Sequence, residues 1–295
     1  MPRVPPGGAG IYKSMSRSGP FPDPRAHRPG VPATADTPHL VCGRGEPLTA
    51  RQAVILAGGK GNRLLPLTRE RPKAMVEVHG VPILRHQLDW LARCGVERVV
   101  VSAGHLAEAI VWYLDSRPSP PRTRAVVEKR PLGRGGGLRR AAGALPFPGE
   151  PWFAVYGDIW TCFCLCGMRA HHVRSGVAAT VALAGPGLPG SAVAYDELGR
   201  VTGLGPATAG PGRVNAGVYL FAWRVVSLLP EEGDHADSTL PRLVGARQLA
   251  GYAINEPWQA VNTPADVIRL ERDLATRRAI RQAAAERPSG EIAGR

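Results

Sequence analysis

No run of about 18 consecutive apolar residues occurs in the chain, which excludes an ordinary membrane-spanning helix. The N-terminus lacks the charged start, apolar block and small-residue cleavage site of a secretory signal, so a cytoplasmic location is expected. Cysteine is scarce: five residues, an odd number without framework spacing, argue against a disulfide scaffold, and no disulfide is expected. Acidic residues are outnumbered, 24 against 37 Lys and Arg, for a net charge of +13. The cations are scattered, however, and no basic helix interleaved with aromatics stands out, so nucleic acid is not the expected partner. An arginine-rich surface accounts for the excess, and its positive field attracts anionic ligands such as nucleotides.

What is present suffices for a sizeable core, with 44% hydrophobic residues in 295. Residues 1–50 carry many Pro and Gly, few aromatics and no periodic apolar face, the composition of a disordered extension. The folded pattern begins abruptly at Gln52, which leaves open whether the extension is a genuine part of the protein. A single domain is expected over 51–278, with a polar tail over 279–295.

Within that domain, strands and helices alternate. AVILA (53–57) is a continuous apolar run, the mark of a strand buried on both faces. Helical patterns over 81–95, closed by Gly95, and over 107–117 and 136–145 alternate with strand patterns over 97–104, 123–129 and 152–158. This β-α-β alternation predicts an α/β fold, a Rossmann-like, mostly parallel sheet flanked by helices. The second half predicts a helix near 166–175, a strand over 177–184, a hairpin over 192–204 around a D-E-L-G turn, a buried strand over 213–221 and a long helix over 265–282. Ligands in such sheets bind beyond the carboxyl ends of the strands, which singles out the loops after Ala57, Lys129 and Tyr156.

The first of these loops reads LAGGKGNRLLPLTRERPKAM (56–75). It lacks the Gly-Lys-Ser/Thr of a P-loop and the third glycine of a dinucleotide fingerprint, so neither an ordinary NTPase nor a dehydrogenase is supported. Glycines at the end of a first strand let backbone N–H groups approach phosphate oxygens. Arg63 adds a planar, permanently charged fork, and Lys73, held by Pro72, brings a second cation. A glycine turn with solvated charges is the plain alternative for a lone GGxG; the full spacing through Pro66, Thr68 and Pro72-Lys73 favours a phosphate cradle.

These residues resemble the signature of the sugar-1-phosphate nucleotidyltransferases, which join an NTP to a sugar 1-phosphate and release pyrophosphate. AGHLAEAI (103–110), EKRPLGRGGGLRRA (128–141), VYGDIW (155–160) and VNAGVYLF (214–221) match in order, and the similarity spans about 52–275. It implies a GT-A-like nucleotidyltransferase fold with the triphosphate on Gly58, Gly59 and Gly61 beside Leu56, Ala57 and Asn62. Arg63 and Lys73 would neutralise charge, Pro131, Leu132 and Gly133 would line the base and ribose pocket, and Asn215 and Gly217 would face the sugar. Asp158 would hold Mg²⁺. GTP is the first expectation for the nucleotide, from similarity to mannose- and heptose-1-phosphate guanylyltransferases; dTTP, ATP, CTP and UTP stay open, as does assembly into a homo-oligomer.

Two departures from the family pattern stand out. The family often carries D-x-G-T-P before its last helix, whose aspartate is the second metal carboxylate; here the segment is Ala260-Val261-Asn262-Thr263-Pro264, and only the neutral oxygen of Asn262 is available as a second ligand. Many members also show E-K-P after the hairpin, with the lysine on the sugar phosphate, where this chain has Gly203-Leu204-Gly205-Pro206 and Arg213 is the nearest cation in sequence. The alternative to an enzyme is therefore a catalytically weakened or inactive nucleotide- or sugar-binding relative with a regulatory role. Cys162, Cys164 and Cys166 lack the paired spacing of a zinc site and are expected to be packing residues. His105 stands either at the pocket edge or over a strand end, and Trp90 and Trp112 belong to helix faces turned to core or interface.

Overall fold

The structure, a computed structural model, describes residues 50–285 except 187, 189 and 207–211. The extension expected over residues 1–50 lies almost wholly outside the described residues, as does the end of the expected tail. The first half comprises β1 (Gln52–Ala57), the short β2 (Glu77–Val78) and β3 (Val81–Pro82), α1 (Ile83–Arg93), β4 (Arg98–Ala103), α2 (Ala107–Ser116), β5 (Arg122–Val127), α3 (Gly133–Ala142), β6 (Trp152–Tyr156) and β7 (Ile159–Thr161). There follow α4 (Leu165–Ser175), β8 (Ala179–Ala184), β9 (Ser191–Tyr195), β10 (Val201–Pro206), β11 (Arg213–Phe221), α5 (Thr239–Gly245), β12 (Leu249–Ala253), β13 (Trp258–Ala260) and α6 (Pro264–Ala285).

The main sheet runs β10-β9-β11-β6-β1-β4-β5, with β8 also on β11 and β12 on β8. Strands β6, β1, β4 and β5 are parallel, as the βαβ pattern predicts, because each crossover helix returns the chain to the same end of the sheet. Strand β11 reverses direction against β6, and the expected hairpin, β9–β10, extends that antiparallel flank. The D-E-L-G turn closes it: the Asp196 carboxylate accepts the N–H of Leu198 and Arg200, and Gly199 takes the left-handed conformation.

The apolar run of β1 is covered on both faces because alternate side chains point opposite ways. Ala53, Ile55 and Ala57 pack with Leu84, Leu88 and Leu91 of α1 on one face, while Val54 packs with Leu138 of α3 on the other. Helix α1 stops where Gly95 turns left-handed, with Val96 N–H donating to Leu91 C=O and Gly95 N–H to Ala92 C=O, which satisfies carbonyls that the last turn would leave unpaired. Trp90 lies in the core with its indole N–H on Phe163 C=O, whereas Trp112 is 43% exposed. The β7–β13 ladder, α5 and β12 do not show in the sequence pattern; two of the strands have only three residues, too few for a periodic signal. Cys166 carries a disulfide, against the expectation of none, since an odd cysteine count without framework spacing does not exclude a single link. Among the described residues, no helix is long and apolar enough to cross a membrane.

Candidate active site

A cavity of about 720 Å³ opens at the carboxyl ends of β1, β4, β5 and β6, within the size range of small-ligand sites. The three loops singled out by the sequence meet there. Their local folding explains the motif spacing. Gly61 adopts φ 68°, and Thr68 donates its hydroxyl to Gly61 C=O at 2.9 Å. A Cβ on Gly61 would come within 3.0 Å of the Thr68 methyl and 3.1 Å of the Lys73 Cβ, so the glycine lets both side chains close over the loop. Pro72 is extended and precedes a short 3₁₀ turn, Lys73–Met75, which turns the lysine into the cavity.

Lys73 Nζ donates to Asp158 Oδ2 at 2.6 Å and to Asn262 Oδ1 at 2.8 Å, and the Arg63 guanidinium donates to the same Asn262 oxygen at 2.9 Å. Asn262 therefore tethers both loop cations, and its one carbonyl oxygen is shared between them. Its own place is set by a capping box at the start of α6, in which the Asp266 carboxylate accepts the N–H of Asn262 and Thr263 while Asp266 N–H reaches back to the Thr263 hydroxyl. Burial works against ionising Asp266, but these donors outweigh it and hold the carboxyl below its ordinary range.

Asp158 is fixed from behind. Its C=O accepts Val261 N–H at 2.7 Å, and the buried Gln87 of α1 donates to the carbonyls of Tyr156 and Ile159 on either side, both at 2.8 Å. The β7–β13 register sets Ala260 opposite Ile159, next to Asp158 in the chain. Among the described residues, no three His, Cys, Asp or Glu side chains gather as a metal-binding group.

On the far wall, Glu128 ties the loop after β5 to β4 and to the glycine loop: it accepts the Ser102 hydroxyl at 2.9 Å and Leu132 N–H at 3.2 Å, and its carboxylate would lie 3.2 Å from a Cβ on Gly58. Gly133, at φ 75°, opens α3; a Cβ there would meet Gly233 C=O at 2.5 Å, so only glycine fits beneath the 230–235 segment. Arg134 and Tyr156 complete this wall. Burial and the neighbouring Tyr219 push the Tyr156 hydroxyl well above the usual phenol range, so it stays protonated between the Tyr219 hydroxyl and His235 Nε2, each at 3.1 Å.

Of the residues expected from sequence, Leu56, Ala57, Gly58, Gly59, Gly61, Asn62, Arg63, Lys73, Pro131, Gly133, Asp158 and Asn262 line the cavity, together with His105. Leu132, Asn215 and Gly217 are not in the lining. Asn215 and Gly217 form a bulge in β11, where Gly217 N–H donates to the Asn215 amide oxygen and the pairing with β8 shifts register. Arg213 is engaged elsewhere, on Ile254 C=O at 2.8 Å and Asn255 Oδ1 at 2.9 Å. Sequence reasoning misses Glu128, Arg134 and Tyr156; all three lie in or beside its motifs, but their roles depend on contacts with segments about 30 to 100 residues away. Cations dominate the lining, with Lys60, Arg63, Lys73, Lys129, Arg130 and Arg134 against Glu128 and Asp158, so the cavity suits a polyanion.

Residues 53–192 match the model of the MobA-like NTP transferase domain. Over 231 residues the chain is 31% identical to a mannose-1-phosphate guanylyltransferase of Mycobacterium tuberculosis, and over 235 residues 27% identical to the catalytic subunit beta of the Drosophila melanogaster enzyme of that name. These alignments cover 75% and 77% of this chain but only 64% of each relative, so the chain spans under two thirds of their length. HddC from Yersinia pseudotuberculosis has the same fold at a TM-score of 0.65 and 21% identity, over 75% of this chain and 98% of that one. The inositol-1-phosphate CTP transferase of T. maritima superposes at 0.62 with 19% identity, over 78% and 97%. Over residues 53–192 the chain is thus similar to the MobA-like NTP transferase domain, and its fold is that of the solved nucleotidyltransferases.

Proposed function

We propose that the protein transfers a nucleotidyl group from an NTP to a sugar 1-phosphate, giving a nucleotide sugar and pyrophosphate, with GTP as the preferred donor. The observation that carries this reading is the convergence of Lys73 and Arg63 on Asn262 beside Asp158, at the mouth of a glycine loop. The names of the curated relatives and the GMP-PN complex of HddC support the choice of base.

In the proposed reaction an oxygen of the sugar 1-phosphate attacks the α-phosphorus in line, forming a new P–O bond while the bond to the bridging oxygen breaks and pyrophosphate leaves with the electron pair. Negative charge grows on the departing oxygen, so positioning and neutralisation matter more than covalent help from the protein. The glycine loop supplies backbone N–H groups for the triphosphate, and Arg63 and Lys73 supply fixed charge. The 131–133 segment borders the base and ribose, where Gly133 keeps the wall close.

The donor set fits a magnesium ion held jointly by protein and substrate, since Asp158 presents one carboxylate to the cavity with its side chain 28% exposed and a triphosphate brings further oxygens. When bound, the ion would neutralise phosphate charge. Asp158 would hold it, with Asn262 turned to the cations. Pyrophosphate release, screened over the five NTPs and a panel of sugar 1-phosphates, tests the reading. Release with GTP and one sugar is expected; an empty screen with intact nucleotide binding favours a non-catalytic relative.

A further inference from the structure

We propose that Arg134 binds the anionic group of the acceptor, standing in for the lysine that the Gly203-Leu204-Gly205-Pro206 segment lacks. The inference rests on the nucleotidyl-transfer reading and assigns the second substrate's phosphate to a residue of the first turn of α3. Arg134 lines the cavity between Gly133 and the strand end that carries Tyr156, Gly157 and Asp158. It faces the site from the other side of the sheet than the loop cations do. Lys73 is followed by Ala74, which packs with α1 and α2, whereas α3 packs with Val54 and Trp152 on the opposite face.

Its guanidinium is held in place without being used up. Nε and Nη2 both approach Asp234 Oδ2 at 2.6 Å, and the guanidinium carbon lies 5.2 Å from the centre of the Tyr156 ring, within range of a cation–π contact. Each support is itself anchored. The other oxygen of Asp234 accepts Ala236 N–H at 2.9 Å, its main-chain carbonyl accepts the Ser238 hydroxyl at 2.7 Å, and the Tyr156 hydroxyl is bound between Tyr219 and the buried His235. The 231–235 segment is clamped on the glycine turn of α3, where Gly233 C=O accepts Gly135 N–H at 2.8 Å. Nη1 has no protein partner among the described residues, and the side chain is 50% exposed.

A guanidinium whose Nε and Nη2 are fixed on a carboxylate offers its remaining N–H groups to a phosphate in a set orientation. Of the competing cations, Lys60 and Lys129 also line the cavity but have no side-chain partner among the described residues to fix their orientation, and the others are committed elsewhere. Arg63 and Lys73 share Asn262 on the glycine-loop side, Arg130 pairs with Glu232 at the rim, and Arg213 is spent on Ile254 and Asn255.

Calorimetric titration of the full chain, in excess chelator so that no turnover occurs, separates the two ligands. GTP is titrated alone; mannose 1-phosphate, glucose 1-phosphate and methyl phosphate are then titrated onto the GTP-loaded protein, methyl phosphate reporting the anion without a sugar. Arg134→Met should weaken binding of each phosphate at least tenfold while leaving the GTP Kd within about twofold. Arg134→Lys should recover part of the loss, and Asp234→Asn, which frees the guanidinium, should give an intermediate effect. Unchanged sugar-phosphate affinity in Arg134→Met, or an equal loss for GTP, overturns the assignment. GTP binding by the wild type with none of the three phosphates also overturns it while sparing the nucleotide site; binding of neither class overturns the transfer reading and this assignment together.

Discussion

The ammonium of Lys73 lies 2.6 Å from Oδ2 of Asp158, joining the glycine loop after β1 to the end of β6 across 85 residues of sequence. The lysine side chain is only 15% exposed, so its charge acts in a partly desolvated site where it counts for more than at a surface. Lys73→Ala should therefore slow turnover roughly a hundredfold or more, a few kcal/mol of transition-state stabilisation. Arg63→Ala should show a loss of similar order, because the same Asn262 oxygen orients both cations. Steady-state rates at saturating substrates check this, and near-wild-type rates in both variants would remove the phosphate site.

Asp158→Asn should abolish turnover and leave the fold largely intact. The side chain has no packing role in the core, and the main chain at this position is held independently by Val261 and Gln87. With alanine at 260, the proposed magnesium would have one protein carboxylate, so half-maximal activity should need millimolar metal, and Ala260→Asp should lower that requirement. Magnesium titrations of wild type and variant, with circular dichroism as the fold control, measure both effects.

Much of this is legible in the sequence. The first strand, its glycine loop and the crossover helices follow from apolar periodicity and from Gly95 as a stop, all local signals. The cradle is legible because Gly61, Thr68 and Lys73 pack on one another within a dozen residues. Asn262 reads as a ligand oxygen from its place beside a missing aspartate; that its oxygen is taken by two cations depends on the β7–β13 ladder, which has only three residue pairs. The Arg134–Asp234 contact spans 100 residues and joins a glycine turn to a loop without periodic signal, so no pattern announces it.

The two glycines with opposite surroundings give a contrast. Gly133→Ala places a methyl 2.5 Å from Gly233 C=O in a left-handed backbone and should cost roughly 2 kcal/mol or more of stability. A methyl added at Gly59 would meet nothing within 4 Å, so Gly59→Ala should leave the melting temperature nearly unchanged and weaken GTP binding. Thermal unfolding and GTP titration of the pair distinguish a structural glycine from a ligand-facing one.

Two of the buried histidines, His172 and His235, bear on the stability of the fold in acid. Desolvation by burial, with Arg224 next, lowers His172 to about 4, and desolvation, only partly offset by Asp234, lowers His235 to about 4. Below the ordinary histidine value near 6.5 the unfolded chain takes up protons that the folded chain refuses. Stability is thus full above about pH 6.5 and falls as pH drops toward 4, by up to ~1.4 kcal/mol per pH unit for each histidine. Urea unfolding at pH 7.5, 6 and 5 should show this decline, and His172→Gln should flatten it in part. Constant stability across that window would contradict the neutral, buried state of both rings.

Transfer of label from α-phosphorus-labelled GTP into a nucleotide sugar, with mannose 1-phosphate and other sugar 1-phosphates as acceptors, tests the central claim most directly. The account predicts a labelled nucleotide sugar and one equivalent of pyrophosphate with the wild-type protein in magnesium, and neither product with Asp158→Asn or in excess chelator. Absence of labelled product from the wild type with every acceptor, or its undiminished formation by Asp158→Asn, would contradict it.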